Sequence, residues 1–302
     1  MKPSTALKSN HDQYMLQKLL TGHQGPVSCI TAHPLGTHIA TGGEKGTNIW
    51  NLETSALVAP PTRAGEPSDV EDGLAYGTED GYLCIWKKDH KEDKFMEIYC
   101  DCLTGGKDGQ EIAAMAYDTS SNQLAVVHQA ESVHRFVIDG SMYPRTIKSV
   151  SIPKHWPQGV AFGQVGMRGP SFGPSEGRME LCHYILNDNG KVLSTKTTGT
   201  VIGHAVLNVK EDAILLDDVS QGVALYKLSG AERVKTFEVP STQCRMRDIA
   251  FHDGCGSIIS GSDHGNVYVF DCRTGSINDV IRTGVKDCIR KSHFCLGDPR
   301  VA

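Results

Sequence analysis

Two groups put metal-ligating residue types close together in this sequence: Cys100 with Cys102, and Cys288 with His293 and Cys295. Structural zinc takes four Cys or His ligands, commonly delivered as C-x2-4-C or H-x3-5-H pairs. Neither group has that spacing, so both are expected to be packing or incidental cysteines, and no metal or cofactor is expected. Asp217-Asp218 is the kind of carboxylate pair that acid–base chemistry uses. It ends a strand-like run ahead of VSQG, and adjacent strand residues point to opposite faces, so a turn role is expected instead. Gly163, Gly166 and Gly169 lack the G-x-G-x-x-G spacing of a dinucleotide loop, and Thr104 to Gly109 lacks the G-x-x-x-x-G-K-[ST] frame. His23 and His204 each follow a glycine; as general bases they would need a Ser or Cys nucleophile on a recognisable elbow, and none accompanies them. Arg282, Lys286, Arg290 and Lys291 form a basic cluster. Asp279 and Asp287 dilute it and no aromatics interleave it, so it reads as a solvated strand or tail.

Composition narrows the classes further. The 302 residues are 39% hydrophobic and 22% charged, enough to fill a substantial core. Thirty-five acidic and 30 basic residues give a net charge of -5, with the 13 histidines neutral. That balance does not suit a phosphate-backbone binder, and no nucleic-acid partner is expected. The first residues, MKPSTALKSNHDQYMLQ, have no apolar core of signal-peptide length, and no run approaches the roughly 20 apolar residues of a spanning helix. A soluble intracellular protein of the cytoplasm or nucleus, without a membrane span, is expected. Most of the 10 cysteines sit in apolar runs, as Cys29, Cys84 and Cys182 do, and read as small hydrophobes, not as a disulfide framework.

The elements that would position any site are clearest from Arg247 to Gly275, RDIAFHDGCGSIISGSDHGNVYVFDCRTG. Three short apolar runs alternate with the turn formers HDGCG and DHG, which indicates antiparallel strands. VSCITAH, HIATGGEKG and TNIWNL repeat the pattern near the N-terminus. There, Gly22-His23 followed by Trp50-Asn51 resembles the Gly-His to Trp-Asp signature of WD repeats, which have a period of roughly 40 to 45 residues and four strands per propeller blade. The resemblance implies an all-β WD-repeat β-propeller. It also implies a hydrogen-bonded repeat network carried by His23, Thr41 and Trp50, with Glu44 where an Asp is usual. Trp86, His204, Ser260 and Phe270 take corresponding structural places in other copies.

Six copies are legible. The second, GLAYGTEDGYLCIW, is expected to lack its innermost strand or to build it from poor material, because RAGEPSDVED before it reads as a loop. The third uses EIAAMAYD, NQLAVVH, SVHRFVID and RTIKSVSI. In the fourth, QVGMRGPSFGPSEG reads as a long loop where a second strand belongs. The fifth and sixth are regular. At about 42 residues per blade, seven blades need about 294 residues. A seven-bladed layout with an incomplete last blade is therefore expected, closed by Tyr14 to Leu20 beside a C-terminal strand at about Asp287 to Phe294; the alternative is a six-bladed ring. Residues 1–13 are expected to be a flexible segment, 14–295 one propeller domain and 296–302 a tail.

In WD repeats the turns between second and third strands share one face with the connections entering each blade, and that face often binds proteins. Here it would carry Glu44, Lys45, Glu79, Asp80, Glu131, Arg245, Asp263 and His264. The resemblance implies a non-enzymatic scaffold or adaptor that binds a protein or peptide there. A propeller enzyme or small-ligand receptor at the channel mouth is one alternative. A truncated or degenerate propeller with little independent function is the other.

Overall fold

The computed structural model describes residues 20–22, 27–32, 36–43, 46–58, 62–63, 73–78, 80–89, 91–92, 94–103, 111–128, 131–152, 156–157, 159–163, 167–175, 178–187, 191–197, 202–208, 210–230, 232–241 and 246–283. Every regular element among them is a strand. Alternation explains why. In the run AILLDD, Ala213 and Leu215 enter one buried cluster while Ile214 and Leu216 enter another on the opposite face. Apolar side chains on both faces mark a strand buried between two neighbouring layers. Each fully buried Leu, Ile or Phe of this kind contributes about 1.5–3 kcal/mol.

The strands form sheets in chain order. The first holds β1 (Val27–Ala32), β2 (His38–Gly43) and β3 (Gly46–Asn51). Among the described residues a single bridge, Trp50 to Leu57, stands where its fourth strand would run. The second holds β4 (Thr62–Arg63), β5 (Gly73–Gly77), β6 (Tyr82–Asp89) and β7 (Lys94–Cys102), in the order β4-β7-β6-β5. The third is β8 (Ile112–Asp118), β9 (Gln123–His128), β10 (Ser132–Ile138) and β11 (Pro144–Ser151). The fourth holds β12 (Trp156–Pro157), β13 (Ala161–Phe162), β14 (Met167–Ser175), β15 (Arg178–Leu186) and β16 (Val192–Thr197). The fifth is β17 (Ile202–Asn208), β18 (Ala213–Asp218), β19 (Gly222–Lys227) and β20 (Glu232–Phe237). The sixth is β21 (Ile249–His252), β22 (Ser257–Ser260), β23 (Asn266–Asp271) and β24 (Ile277–Arg282).

Sheets one to four pack face to face in sequence, and five packs on six, as blades do in a propeller. Ile49 and Val58 of the first layer meet Trp86 and Phe95 of the second. Leu83 and Ile85 of the second meet Ile112, Leu124 and Phe136 of the third. Val127 and Val133 of the third meet Val160, Met167 and Leu186 of the fourth. Leu215, Val223 and Phe237 of the fifth meet Ile249, Ile258 and Phe270 of the sixth.

The structure corrects the expected blade count. Four sheets among the described residues are four-stranded, neither seven nor six. The first sheet stops at three strands and the fourth is a five-stranded sheet with a broken edge. The two segments expected to close the ring, Tyr14 to Leu20 and Asp287 to Phe294, lie outside the described residues apart from Leu20, as do residues 1–13 and 296–302.

Among the described residues the second sheet has no strand inside β5. β5 is an edge strand that pairs with β6 alone and packs against β8 of the next sheet, and the fourth member, β4, joins in parallel on the far side of β7. The loop expected at 164–177 is a second correction, because residues 167–175 form β14, paired with β15 over nine positions. Its prolines are tolerated for a reason visible in the register. The other neighbour of β14 is broken: β13 pairs at Met167 and Arg168, and β12 at Ser171 and Phe172. Among the described residues Pro170 falls between those two pairings and Pro174 beyond them, beside the broken edge where proline is best accommodated in a sheet.

Candidate functional site

The turns between second and third strands are built from short polar sequences whose backbone groups need side-chain partners. In the sixth sheet this turn is Gly261 to Gly265. Ser262 Oγ accepts from the Asn266 N–H at 2.9 Å and tightens it. Asp263 is buried: one carboxylate oxygen accepts from Ser241 Oγ at 3.0 Å, and the other lies 2.9 Å from His264 Nδ1. The His264 Nε2 lies 2.9 Å from the Tyr268 hydroxyl. With Nδ1–H donating to the carboxylate, Nε2 accepts from the tyrosine, which fixes both the tautomer and the plane of a ring whose side chain keeps 28% exposure. Asp263 is thus a support beneath His264 and is not itself presented to solvent.

The junction between the fifth and sixth sheets carries a buried ion pair. Asp217 has the parity of Leu215 on β18, so its side chain enters the layer facing the sixth sheet. There Arg247 donates its backbone N–H to one carboxylate oxygen and its Nε–H to the other, both at 2.8 Å, and Nη2–H to the Asp218 carbonyl at 2.7 Å. Both side chains are almost wholly removed from water, at 2% and 0% exposure. Burial pushes the Asp217 carboxyl above its ordinary value, against the opposing pull of Arg247 and His204. The turn role expected of the pair holds for Asp218 alone, whose Oδ1 accepts from the Ser220 and Gln221 N–H groups and the Ser220 hydroxyl. Asp217 departs from it because a side chain on the core-facing parity cannot reach the turn. Beside this pair, His204 Nδ1 lies 3.1 Å from Asp248 Oδ1, so β17 is tied to the segment entering the next sheet. Met246, in that same segment, is 65% exposed.

The other expected residues are placed as follows. Asp80 is exposed in the β5–β6 turn. Glu131 is half-buried in the β9–β10 turn with a left-handed φ of 56°, and its carbonyl accepts from the Ile152 N–H at 2.7 Å. This left-handed residue does the work of a turn glycine, which that turn lacks. Trp50 Nε1–H donates to Thr41 Oγ1 at 3.0 Å across β2 and β3, both buried. Trp86 is buried and its Nε1 lies 3.5 Å from Glu97 Oε2. Ser260 donates its hydroxyl to the Gly261 carbonyl at 2.9 Å, and Phe270 packs 5.5 Å from Phe237, centroid to centroid. His23, Glu44, Lys45, Glu79 and Arg245 lie outside the described residues.

The structure therefore gathers Asp263, His264, Tyr268, Ser241, Asp217, Arg247, His204, Asp248 and Met246 around the fifth and sixth sheets. Sequence reasoning missed Arg247, Asp248 and Met246. One signal was readable: an Asp continuing the parity of a core Leu needs a cation from the adjoining layer, and Arg247 opens that layer. Nothing in the sequence singled out Met246.

The comparisons agree with this architecture. The family model described as WD domain, G-beta repeat matches residues 14–51. The computationally designed Ika8 protein superposes with a TM-score of 0.60 at 15% identity, over 90% of this chain and 80% of that one. Sqt1 of Saccharomyces cerevisiae, a WD-repeat protein, gives 0.60 at 12% identity, over 88% of this chain and 76% of that one. No curated protein sequence matches the chain. Among the described residues no helix is long and apolar enough to cross a membrane. A WD-domain match over residues 14–51, layered sheets stacked in chain order and these structural neighbours together show a β-propeller fold that carries a WD repeat at its start.

Proposed function

We propose that this chain is a non-enzymatic interaction scaffold that binds a protein or peptide on the face bearing the turns between second and third strands. The observation that supports it best is how those turns are held. Rigid strands and buried polar supports fix them while leaving Asp80, the His264 ring and Met246 accessible, and loops on rigid scaffolds are where binding residues concentrate. The titratable groups of this region are engaged with one another: Asp217 with Arg247, His204 with Asp248, and Asp263 with His264. Such pairing favours a recognition surface over acid–base chemistry. Glu44, Lys45, Glu79 and Arg245 belong to the same proposed surface, and its mixed charge suits a polypeptide better than a nucleic acid. An intracellular setting goes with this reading.

The test is affinity capture with Asp80→Lys combined with Met246→Asp, set beside Tyr117→Asp. Tyr117 is 50% exposed at the opposite end of its sheet, next to the β8–β9 turn. The double variant is expected to lose partners that the wild type and Tyr117→Asp retain, at an unchanged melting temperature. Retention of every partner by the double variant, with loss in Tyr117→Asp, would assign binding to the other face.

A further inference from the structure

Cys84 on β6 and Cys100 on β7 are directly opposed in the register of the second sheet, and their sulfurs lie 2.9 Å apart. Opposed strand residues have Cα atoms about 4.5–5.5 Å apart, inside the roughly 4.4–6.8 Å that a disulfide spans. Both thiols are free. Their accessibilities differ: Cys84 is 3% exposed, whereas Cys100 is open to solvent. Glu97 lies on the same face, and one of its carboxylate oxygens and the two sulfurs are all within 4.8 Å of one another. Cys102 is two residues further along β7, but it opposes Tyr82 and its Sγ is directed to the Asp80 carbonyl at 3.8 Å. The geometry thus singles out Cys100 as the partner of Cys84.

We propose that Cys84 and Cys100 form a reversible, peroxide-responsive thiol pair that closes to a cross-strand disulfide. The solvent-facing Cys100 sulfur attacks hydrogen peroxide; the S–O bond forms, the O–O bond breaks, and the departing hydroxide leaves as water with the thiol proton. The Cys84 sulfur then attacks Cys100 Sγ. The S–S bond forms, the S–O bond breaks, and the hydroxyl leaves as a second water with the Cys84 proton, for which the Glu97 carboxylate is an adjacent relay. Two thiols are oxidised and one peroxide is reduced to two waters.

A soft-metal site is the competing use of the same three side chains. Burial pushes the Cys84 thiol up to about 12, so its proton must leave in either use, to a metal or in the attack on Cys100, and the ligand count separates the two. Two sulfurs and one carboxylate also fall one short of the four ligands of a closed zinc site. Disulfide formation instead leaves a neutral bond between the buried Cys84 and the exposed Cys100.

The experiment treats the full chain, reduced and then desalted, with hydrogen peroxide and follows intact mass, alkylatable thiols and peptide maps. The expected result is a loss of about 2 Da and of two reactive thiols, with one linked species joining the peptides of Cys84 and Cys100 and reversal by dithiothreitol. Cys100→Ser is expected to leave Cys84 alkylatable after peroxide. The proposal is overturned if Cys84 in the wild type stays alkylatable while Cys100 gathers oxygen, or if Cys100 links to another cysteine. It is equally overturned if stoichiometric zinc survives desalting and protects both thiols. The wild-type map decides the matter even if Cys100→Ser does not fold.

Discussion

At the scale of single residues, the buried Asp217–Arg247 pair shows how one side chain can be both costly and structurally decisive. Three hydrogen bonds satisfy Arg247, so removing its partner strands a buried cation. Asp217→Ala is expected to destabilise the protein by about 3–5 kcal/mol, whereas Asp217→Leu combined with Arg247→Met should recover most of that loss, because a packed apolar pair carries no desolvation penalty. Urea titration of the three chains checks this; equal stability for Asp217→Ala and the wild type would show the pair to be hydrated. His134 gives a second residue-scale expectation. Serine hydroxyls hold its ring on both sides, Ser149 Oγ at 2.8 Å from Nδ1 and Ser132 Oγ at 3.3 Å from Nε2. Burial, assisted by His128, pushes it down to about 4 from its ordinary 6.5. The unfolded chain therefore binds a proton that the folded chain refuses, and the stabilisation present above pH 6.5 is lost as pH falls towards 4. His134→Phe keeps the ring stacked near Phe136 without a titrating group. It should flatten the fall in melting temperature across that window by an amount worth roughly 1–2 kcal/mol after solvent screening.

At the scale of elements, the second sheet shows how an edge strand meets the next layer directly. β5 lies against β8 and must approach the third sheet closely, which its glycines permit. A Cβ on Gly77 would collide with the Ile112 side chain, and one on Gly73 with Met142. Gly77→Ala is expected to cost about 1–3 kcal/mol through overpacking, and Ile112→Ala in the same chain should relieve part of it. Thermal melts of the single and double variants decide this; a Gly77→Ala chain as stable as the wild type would mean that the two layers slide apart freely. The weak start of this copy was legible because no apolar alternating run precedes GLAYG. β14 was not, since proline and glycine normally argue against a strand, and only the broken neighbour at β12 and β13 makes Pro170 and Pro174 acceptable. The regular fifth and sixth sheets were readable for the opposite reason: AILLDD, GVALYK and NVYVFD obey the period of two and are bounded by turn residues. Of the site, turn positions such as Asp80 and His264 could be placed from sequence. The burial of Asp263 and the pairing of Cys84 with Cys100 depend on which residues face each other across strands, and the sequence does not state that register.

At the scale of the molecule, stacking sheets in chain order makes stability a sum of neighbouring interfaces, as in other repeat architectures. The layer between the second and third sheets is built from Leu83, Ile85, Ile112 and Phe136; the layer between the fifth and sixth is built from Leu215, Phe237, Ile249 and Phe270. The two layers share no residue. Substitutions in separate layers should therefore act independently, whereas those in one layer should couple. Gly77→Ala combined with Asp217→Ala is expected to destabilise by the sum of the single effects within about 0.5 kcal/mol. Asp217→Ala combined with Phe270→Leu, both in the fifth–sixth layer, should depart from additivity by more than that. Denaturant melts of the two double-mutant cycles measure the difference. Strong coupling in the first cycle would mean that the sheets fold as a single indivisible core, in which damage at any blade would propagate to the turns that carry Asp80 and His264. Additivity would leave those turns intact when a distant layer is weakened, which is what a surface assembled from several blades requires.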